Sequence, residues 1–540
     1  MGRHAAGSAY LRAIAKMGFL EASALVRNNK ERQNFINLFK SFLGENTIDV
    51  EIFPWDKPDL SQKYGGIFIC DPHIGNYSVL RTNFGHQKYS IVGITHTTMS
   101  KSIMDSMGDI FIKPVQEWDA LICTSRCVKD TVDEILSFHQ NALRERLGAK
   151  NFIKPQFPII PLGVHTEDYT FSNDEKDKVR KKLGINEDDI ALVFVGRLSF
   201  HAKAHHFPMY KALQEIANDL KGKKNIHLIQ IGWFANDYIS NIMQSEAKLV
   251  CPDVICHFVD GLDQQNKNLL LSSSDIFISL TDNFQETFGL TPIEAMAAEV
   301  PVIVTDWNGY RDTVNDGENG FMIPTTTLKA GESSDLIYQY FSHIINYDQY
   351  IGYASQKVSI DIDVAIKKIK ELINNPSLRK SMGESGKKRA NELFCWKKVM
   401  NSYSDLREEL DNIRLNSETK NNNINYLEGL EPLKIFNSYS TEKLDENNKF
   451  ICKVDKTLND NHYLFTSNSI NIVQDNNLLD TEYLGLKVNP IIVNSIIKLL
   501  LEKKISLKEI YSNLEFPHEA INKTVIIMLK FDIIGITKKA

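Results

Sequence analysis

Between Phe277 and Pro324 the chain reads FISLTDNFQETFGLTPIEAMAAEVPVIVTDWNGYRDTVNDGENGFMIP, and no other stretch narrows the possible folds so far. Phe277–Leu280 is a short apolar run of buried-strand type, TDNFQETFG is a polar loop, Pro292 opens a run of good helix formers through Ala298, and Val300–Val304 is a second buried strand. Strand, loop, helix and strand within about 30 residues form a right-handed crossover, whose loop lies at the carboxyl edge of a parallel sheet, where ligands gather.

Two carboxylates flank that loop. Glu294 and Thr291 fit a capping box, with Thr291 as N-cap and Pro292 at the first helical position. Glu286 has no helix of its own to cap, so its bland alternative is a solvated surface acid. The backbone amides from Phe288 to Ile293 add a different possibility, because a helix N-terminus opening beside a glycine makes an anion site. A phosphate cradle with two hydroxyl-accepting carboxylates suits a sugar nucleotide.

Glu286 and Glu294 are separated by seven residues, with FGL between them and EAMA including and following the second. This resembles the donor-binding signature of the retaining family-4 glycosyltransferases, over roughly Gly2 to Leu410 and most strongly in the second half. The resemblance implies the GT-B fold, an α/β architecture of two Rossmann-like domains facing across a crevice. It implies that Glu286 and the backbone at Phe288, Gly289 and Leu290 hold the donor sugar and that Glu294 holds the ribose hydroxyls. Glu299 stands where the family usually has Gly before its Val-Pro-Val turn, a change of backbone device rather than of chemistry.

Length and charge limit the alternatives. At 540 residues with 43% apolar content the chain can build several cores, and a formal charge of -6 gives no support to nucleic-acid binding. Seven scattered cysteines without a metal-type C-x-x-C pair argue for a reducing compartment, hence a cytoplasmic location. The start of the chain has no continuous apolar core of secretory type, and Ile491–Leu501 is interrupted by Asn494, Ser495 and Lys498. A membrane span of about 20 apolar residues is therefore not expected, while peripheral membrane contact is left open.

Gly2–Gly18 reads as a glycine-bearing loop feeding a helix, with Leu11, Ile14 and Met17 at helical spacing. By resemblance such a loop lies near donor and acceptor, which would give Gly2, Arg3 and Gly7 a role, but an ordinary helix entry fits equally and the family's first strand has no evident counterpart. Strand candidates at Gly65–Cys70, Tyr89–His96 and Ala120–Ser125 alternate with helical stretches at Asn34–Leu43 and Lys129–Phe138, the pattern of a Rossmann-like half. His96 and, less strongly, Ser125 stand where strands run out at the crevice. By resemblance, His96 meets the sugar or the β-phosphate.

Pro158–Tyr169 resembles the family's interdomain linker. Beyond it Val193–Val195 is a buried strand, Gly196 allows a turn, and Arg197 and Lys203 project from the loop toward the crevice that holds Glu286. Paired cations stabilise the charge that grows on a departing diphosphate, and GRL followed by Lys203 resembles the family's diphosphate pair. Ile226–Gly232 and Val254–Gly261 are further strands ending in glycine. In the family the backbone after such strands receives the base, so Gly261 is assigned to donor binding. The loop Asp306–Thr313 would border the donor sugar. Asp361 and Asp363 superficially match a metal-binding Asp-x-Asp, but Asp363 directly precedes an amphipathic helix and reads as its N-cap. Trp396, Val399, Tyr403, Leu406 and Leu410 form one apolar stripe, suited to a last helix that crosses back onto the first domain.

The expected organisation is an acceptor-side domain at 1–169, a donor-binding domain at 170–411, an Asn-rich linker at 412–426 and an accessory domain at 427–540. The accessory domain alternates strand-like runs (FICKV, HYLFT, INIV) with helices near Val493–Leu501, Leu507–Leu514 and Ala520–Phe531, and faintly resembles a winged-helix or PqqD-like fold. From Glu431 onward 14 lysines balance 14 acids with no arginine, which favours a protein or peptide surface over DNA. The expected activity is transfer of a sugar from a nucleotide-diphosphate donor to a hydroxyl of a glycan, lipid or protein acceptor, with retention and without metal or cofactor. Two rivals remain: a glycoside hydrolase, which would need its carboxylates on opposite faces of a bond, and a catalytically silent sugar-nucleotide scaffold acting through the C-terminal domain.

Overall fold

Six parallel strands form the largest sheet: β6 (Ile190–Val195), β7 (Ile226–Gly232), β8 (Val254–Asp260), β9 (Ile276–Ser279), β10 (Val302–Thr305) and β11 (Gly320–Ile323), in the order β11-β10-β9-β6-β7-β8. The chain winds outward from β6 through β7 to β8, then returns beside β6 and winds the other way. The reversal between β6 and β9 is a topological switch point, and ligands bind outside the carboxyl ends of the strands that flank it. All six residues of β6 are buried, as expected of a strand covered on both faces. Its period of two divides them: Ile190, Leu192 and Phe194 pack with Leu213, Ile216 and Ile369, whereas Ala191, Val193 and Val195 pack with Ile293, Met296 and Tyr310.

A computed structural model describes residues 2–17, 21–43, 49–55, 57, 62–418, 426–457 and 489–537. Strands β1 (Glu21–Val26) and β2 (Asp49–Pro54), which sequence patterning passes over, pair in parallel. Strands β3 (Gly66–Phe68), β4 (Ser90–Ile94) and β5 (Ala120–Ile122) form a second parallel set in that order. A buried ion pair closes this half: Arg81 donates to both carboxylate oxygens of Asp119 at 2.6 and 2.7 Å, and both residues have no exposed surface.

Residues Gly2–Lys16 are one helix, not a glycine-bearing loop. Within it Arg12 makes a bidentate pair with Asp168, and the carbonyl of Ala9 lies 3.1 Å from His165 Nε2, so the helix fastens the Pro158–Tyr169 segment. Gly163 is required there, because a Cβ would fall 2.4 Å from the Trp396 ring. Trp396 begins a helix through Asn416, so 412–416 continues that helix, and only 419–425 of the expected linker lies outside the described residues. Its stripe of Trp396, Val399, Leu406 and Leu410 packs with Ala13, Ile94 and Ile122 of the first half. Asp361, not Asp363, caps the helix Ile362–Asn374, accepting the Val364 amide at 3.0 Å, because the helix begins at Ile362 and puts Asp363 inside its first turn.

One excursion interrupts the path from β11 to that helix. Strand β12 (Thr325–Thr327) leads out, helices Ser334–Phe341 and Tyr347–Ser355 follow, and β13 (Val358–Ile360) returns antiparallel to β12.

The chain separates into two compact units, Met1–Leu427 and Glu428–Ala540. In the second, β14 (Lys449–Cys452) is the centre of an antiparallel sheet with β15 (Ile505–Ser506) and β16 (Ile534–Ile536), and helices Pro490–Glu502, Leu507–Asn513 and His518–Lys530 cover a core that includes Phe450, Ile497, Ile510 and Val525. The runs HYLFT and INIV lie outside the described residues. None of the helices among the described residues is long and apolar enough to cross a membrane.

Candidate functional site

The loops after β6 and β9, the two strands at the switch point, carry the first pair of charged residues. Thr281, buried just beyond β9, donates its hydroxyl to the Lys203 carbonyl at 2.6 Å and so joins the loops. The Lys203 ammonium then makes a direct ion pair with the Glu286 carboxylate. Burial alone would push the Lys203 ammonium down, but the attraction of Glu286, assisted by Tyr310, outweighs it and holds the group protonated well above the ordinary lysine range. Arg197 lies close enough for its charge to act on Lys203, and its guanidinium donates to the Ala202 carbonyl at 3.0 Å.

The helix at this loop runs Leu290–Ala297, beginning two residues before Pro292, and Gly289 precedes it at φ +87. Only glycine fits, since a Cβ would fall 2.1 Å from the Tyr310 ring. The expected capping box is not formed, because the early start places Thr291 inside the first turn and the cap position makes no side-chain hydrogen bond. Glu294 turns instead to Lys267 of the helix Gln264–Ser272, accepting at 2.9 Å, with both side chains largely buried. Burial and then the Glu294 carboxylate push the neighbouring Tyr169 phenol well up. The first turn after Gly289 therefore has a carboxylate on either side of it along the chain, Glu286 before and Glu294 after, each held by its own lysine.

Thr287 joins this loop to the first half. Its hydroxyl donates to the His96 carbonyl at 2.6 Å, and its own carbonyl accepts from Ser125 Oγ at 2.6 Å. The His96 ring has Nε2 3.1 Å from the Cys70 carbonyl oxygen. Ser125 also caps the helix Arg126–Leu147. At its start Arg126 pairs with Asp312 in the Asp306–Thr313 loop, 2.5 Å apart. Phe288 is buried edge-on against Phe394. The glycines that end the strands are close-packed: a Cβ on Gly232 would lie 1.8 Å from the Gly196 carbonyl, and the Gly261 amide donates to Gly232 at 3.1 Å. Glu299 takes the left-handed conformation at φ +66 that a glycine would adopt freely, and its carboxylate pairs with Lys387 at 2.8 Å.

Sequence reasoning missed Lys267, Tyr169, Thr281, Asn283 and Thr287. All five act through contacts between segments distant in sequence, and a single sequence carries no signal for these. It also left residues 325–360 without a role, although Asn346 and Gln349 form a capping box that marks a helix start. Asp282, next to Thr281, is a further buried acid. Burial pushes its carboxyl up to about 7 against the opposing His205 amide, which donates to it at 3.2 Å.

Two Rossmann-like halves with a closing helix returned onto the first define the GT-B class of α/β fold. The crystal structure of Anabaena Alr3699/HepE in complex with UDP shares it, with a TM-score of 0.50 and 15% identity over 74% of this chain and 96% of that one. Within this framework residues 175–358 match the model of the family glycosyl transferases group 1. The putative glycosyltransferase EpsD of Bacillus subtilis is 27% identical over 234 residues, which is 43% of this chain and 49% of that protein. The capsular polysaccharide biosynthesis glycosyltransferase CapM of Staphylococcus aureus is 25% identical over 255 residues, 46% and 54% of the two chains. The chain thus spans about half the length of these curated relatives.

Proposed function

We propose that the protein is a retaining glycosyltransferase that moves a sugar from a nucleotide-diphosphate donor to an acceptor hydroxyl, of the family-4 type and without a metal. The observation that carries this reading is the Lys203–Glu286 pair at the switch point, beside the N-terminus of a helix that carries a second lysine-bound carboxylate, Glu294, just beyond its first turn. A diphosphate placed on the amides after Gly289 would compete with Glu286 for the Lys203 ammonium. The released carboxylate then accepts sugar hydroxyls, so one exchange of partners orders both ends of the donor. Glu294, at the same helix start, suits the ribose hydroxyls, and the close-packed glycine backbone at Gly232 and Gly261 suits a flat base.

In the reaction the acceptor oxygen bonds to the anomeric carbon as the bond from that carbon to the β-phosphate oxygen breaks. The electron pair goes to the diphosphate, whose growing charge Lys203 and Arg197 stabilise, and the acceptor proton passes to a departing phosphate oxygen. Supplying these cations from the protein removes the need for a metal at the diphosphate in this reading. A hydrolase is disfavoured because Glu286 and Glu294 arise from one loop and helix start. The UDP bound in the HepE structure makes uridine nucleotides the first donors to test. Residues 428–540 are assigned to acceptor or partner recruitment.

Release of nucleotide from a panel of sugar nucleotides, with and without candidate acceptor glycans, tests the proposal. Turnover that Lys203→Ala reduces supports it. Binding without turnover under every condition would favour the silent scaffold.

A further inference from the structure

The excursion between β12 and β13 touches both loops of the site and the opposite half of the crevice. On the site side, Asn283 is 1% exposed and uses its whole side-chain amide: Nδ2 donates to the His201 carbonyl at 2.7 Å and to Ser355 Oγ at 3.1 Å, and Oδ1 accepts the Gln285 amide at 2.8 Å. Its carbonyl accepts from Trp307 Nε1 at 3.1 Å. His201 stands two residues before Lys203, and Asn283 three before Glu286. Ser355 belongs to the excursion. One buried amide therefore fixes the two loops from which the ion pair emerges and ties both to a third segment. The excursion also presses directly on the first loop, since a Cβ on Gly352 would lie 3.1 Å from His201 Cβ.

At its other end the excursion reaches the first half. The Lys101 amide lies 3.4 Å from the Tyr340 hydroxyl, the Lys101 ammonium sits 5.0 Å over the Phe341 ring, and Met99 packs on the cluster of Leu336, Ile345 and Ala354. Tyr340 is stacked on Tyr350, 4.4 Å between centroids, which links the two excursion helices.

We propose that Asn283 is the positioning residue of the Lys203–Glu286 pair and that the excursion is the strap that seats it, so that the stance of the first half is felt at the pair. This rests on the function proposed above. Asparagine is the side chain the position needs, because it donates twice and accepts once. Aspartate would set a carboxylate against the His201 carbonyl, and an apolar residue would leave that carbonyl and the Gln285 amide unpaired in a buried site.

The test uses the full chain with Asn283→Ala, Ser355→Ala, Ser355→Thr and Tyr340→Phe. Four properties are measured: affinity for UDP, turnover of a UDP-sugar, thermal unfolding, and amide hydrogen exchange over 281–289. Small displacements of reacting groups lower turnover steeply. Asn283→Ala is therefore expected to lower kcat by about tenfold or more while KM and UDP affinity change less than about threefold. Exchange over 281–289 should rise in the same variant. Ser355→Ala should show a smaller loss of kcat that Ser355→Thr restores, and Tyr340→Phe should leave UDP affinity intact. Should Asn283→Ala fail to fold, the Ser355 pair decides. Unchanged kcat per folded molecule together with unchanged exchange would overturn the proposal, even if stability fell. A wild type that binds no UDP and releases no nucleotide would instead defeat the functional reading, and exchange over 281–289 would still decide whether the strap seats the loop.

Discussion

Replacing Glu294 by glutamine separates three roles that one carboxylate could play. A cap would tolerate the change, since glutamine closes a capping box as well as glutamate does. In the structure Glu294 caps nothing and neutralises Lys267 at 2.9 Å, with side-chain exposures of 15% and 9%. Glu294→Gln therefore leaves a largely buried ammonium without its counter-charge. Breaking one partner of a fully buried pair costs about 3–5 kcal/mol, and the residual exposure here reduces that to roughly 2 kcal/mol. Donor affinity should fall as well, because a hydrogen bond to a charged group contributes about 1.5–3 kcal/mol, a factor of roughly 10 to 100 in Kd. The two losses are separable. Glu294→Gln with Lys267→Met removes both charges, so it should recover most of the stability, while calorimetry with UDP should still show weak binding. If the double variant recovers nucleotide affinity along with its unfolding temperature, Glu294 is a structural counter-ion and the ribose assignment is wrong.

Four further outcomes are expected. Arg81→Met removes the counter-charge of the fully buried Asp119, leaving it the Ile91 and Gln116 amides, and should lower unfolding free energy by about 3 kcal/mol in urea titrations, with UDP binding intact where the protein is folded. Asp282 has a folded pKa raised by burial above its unfolded value, so its stability penalty grows as pH rises from about 4 to about 7 and is constant above. The stability advantage of Asp282→Asn over wild type should follow that curve in unfolding measured across pH. Glu299→Gly relieves a left-handed residue held at φ +66 and should stabilise by roughly 0.5–1 kcal/mol, since its exposed pair with Lys387 contributes little. A chain ended after Leu427 keeps the whole first unit and should bind UDP as the full chain does. Loss of transfer to the acceptor alone would support recruitment by the second unit, and an unfolded truncation would make that unit a brace.

What could be read from the sequence follows what is local. Strand β6 was legible as an uninterrupted apolar run, and β7 and β9 as apolar runs broken only by single polar residues, the pattern of a sheet covered on both faces, and Gly289 because it interrupts a loop just where a helix begins. The spacing of Glu286 and Glu294 pointed to one loop and the helix that follows it, and the structure places Glu286 in the loop and Glu294 just beyond the first turn of that helix. The start of that helix was misplaced, since Pro292 marks a first turn without fixing which of its positions it occupies, and the capping box failed with it. Asp361 and Asp363 show the same ambiguity of a residue or two. Strands β1 and β2 were missed because their runs, EASALV and DVEIFP, carry acids and a proline that dilute the pattern. The lysine that holds Glu294 and the amide that holds the Lys203 loop were illegible for a different reason: Lys267 and Asn283 acquire their partners only when the sheet brings separate loops together.

The most direct test of the central claim is nucleotide release from UDP-sugars by the wild type and by Glu286→Gln, with the anomeric configuration of the product read by proton NMR. The proposed mechanism predicts release by the wild type, a product with the donor's configuration, and turnover reduced by about tenfold or more in the variant, because the neutral amide loses a charge-assisted hold on the sugar and the partner of Lys203. An inverted product, or equal turnover by the two proteins, would contradict it.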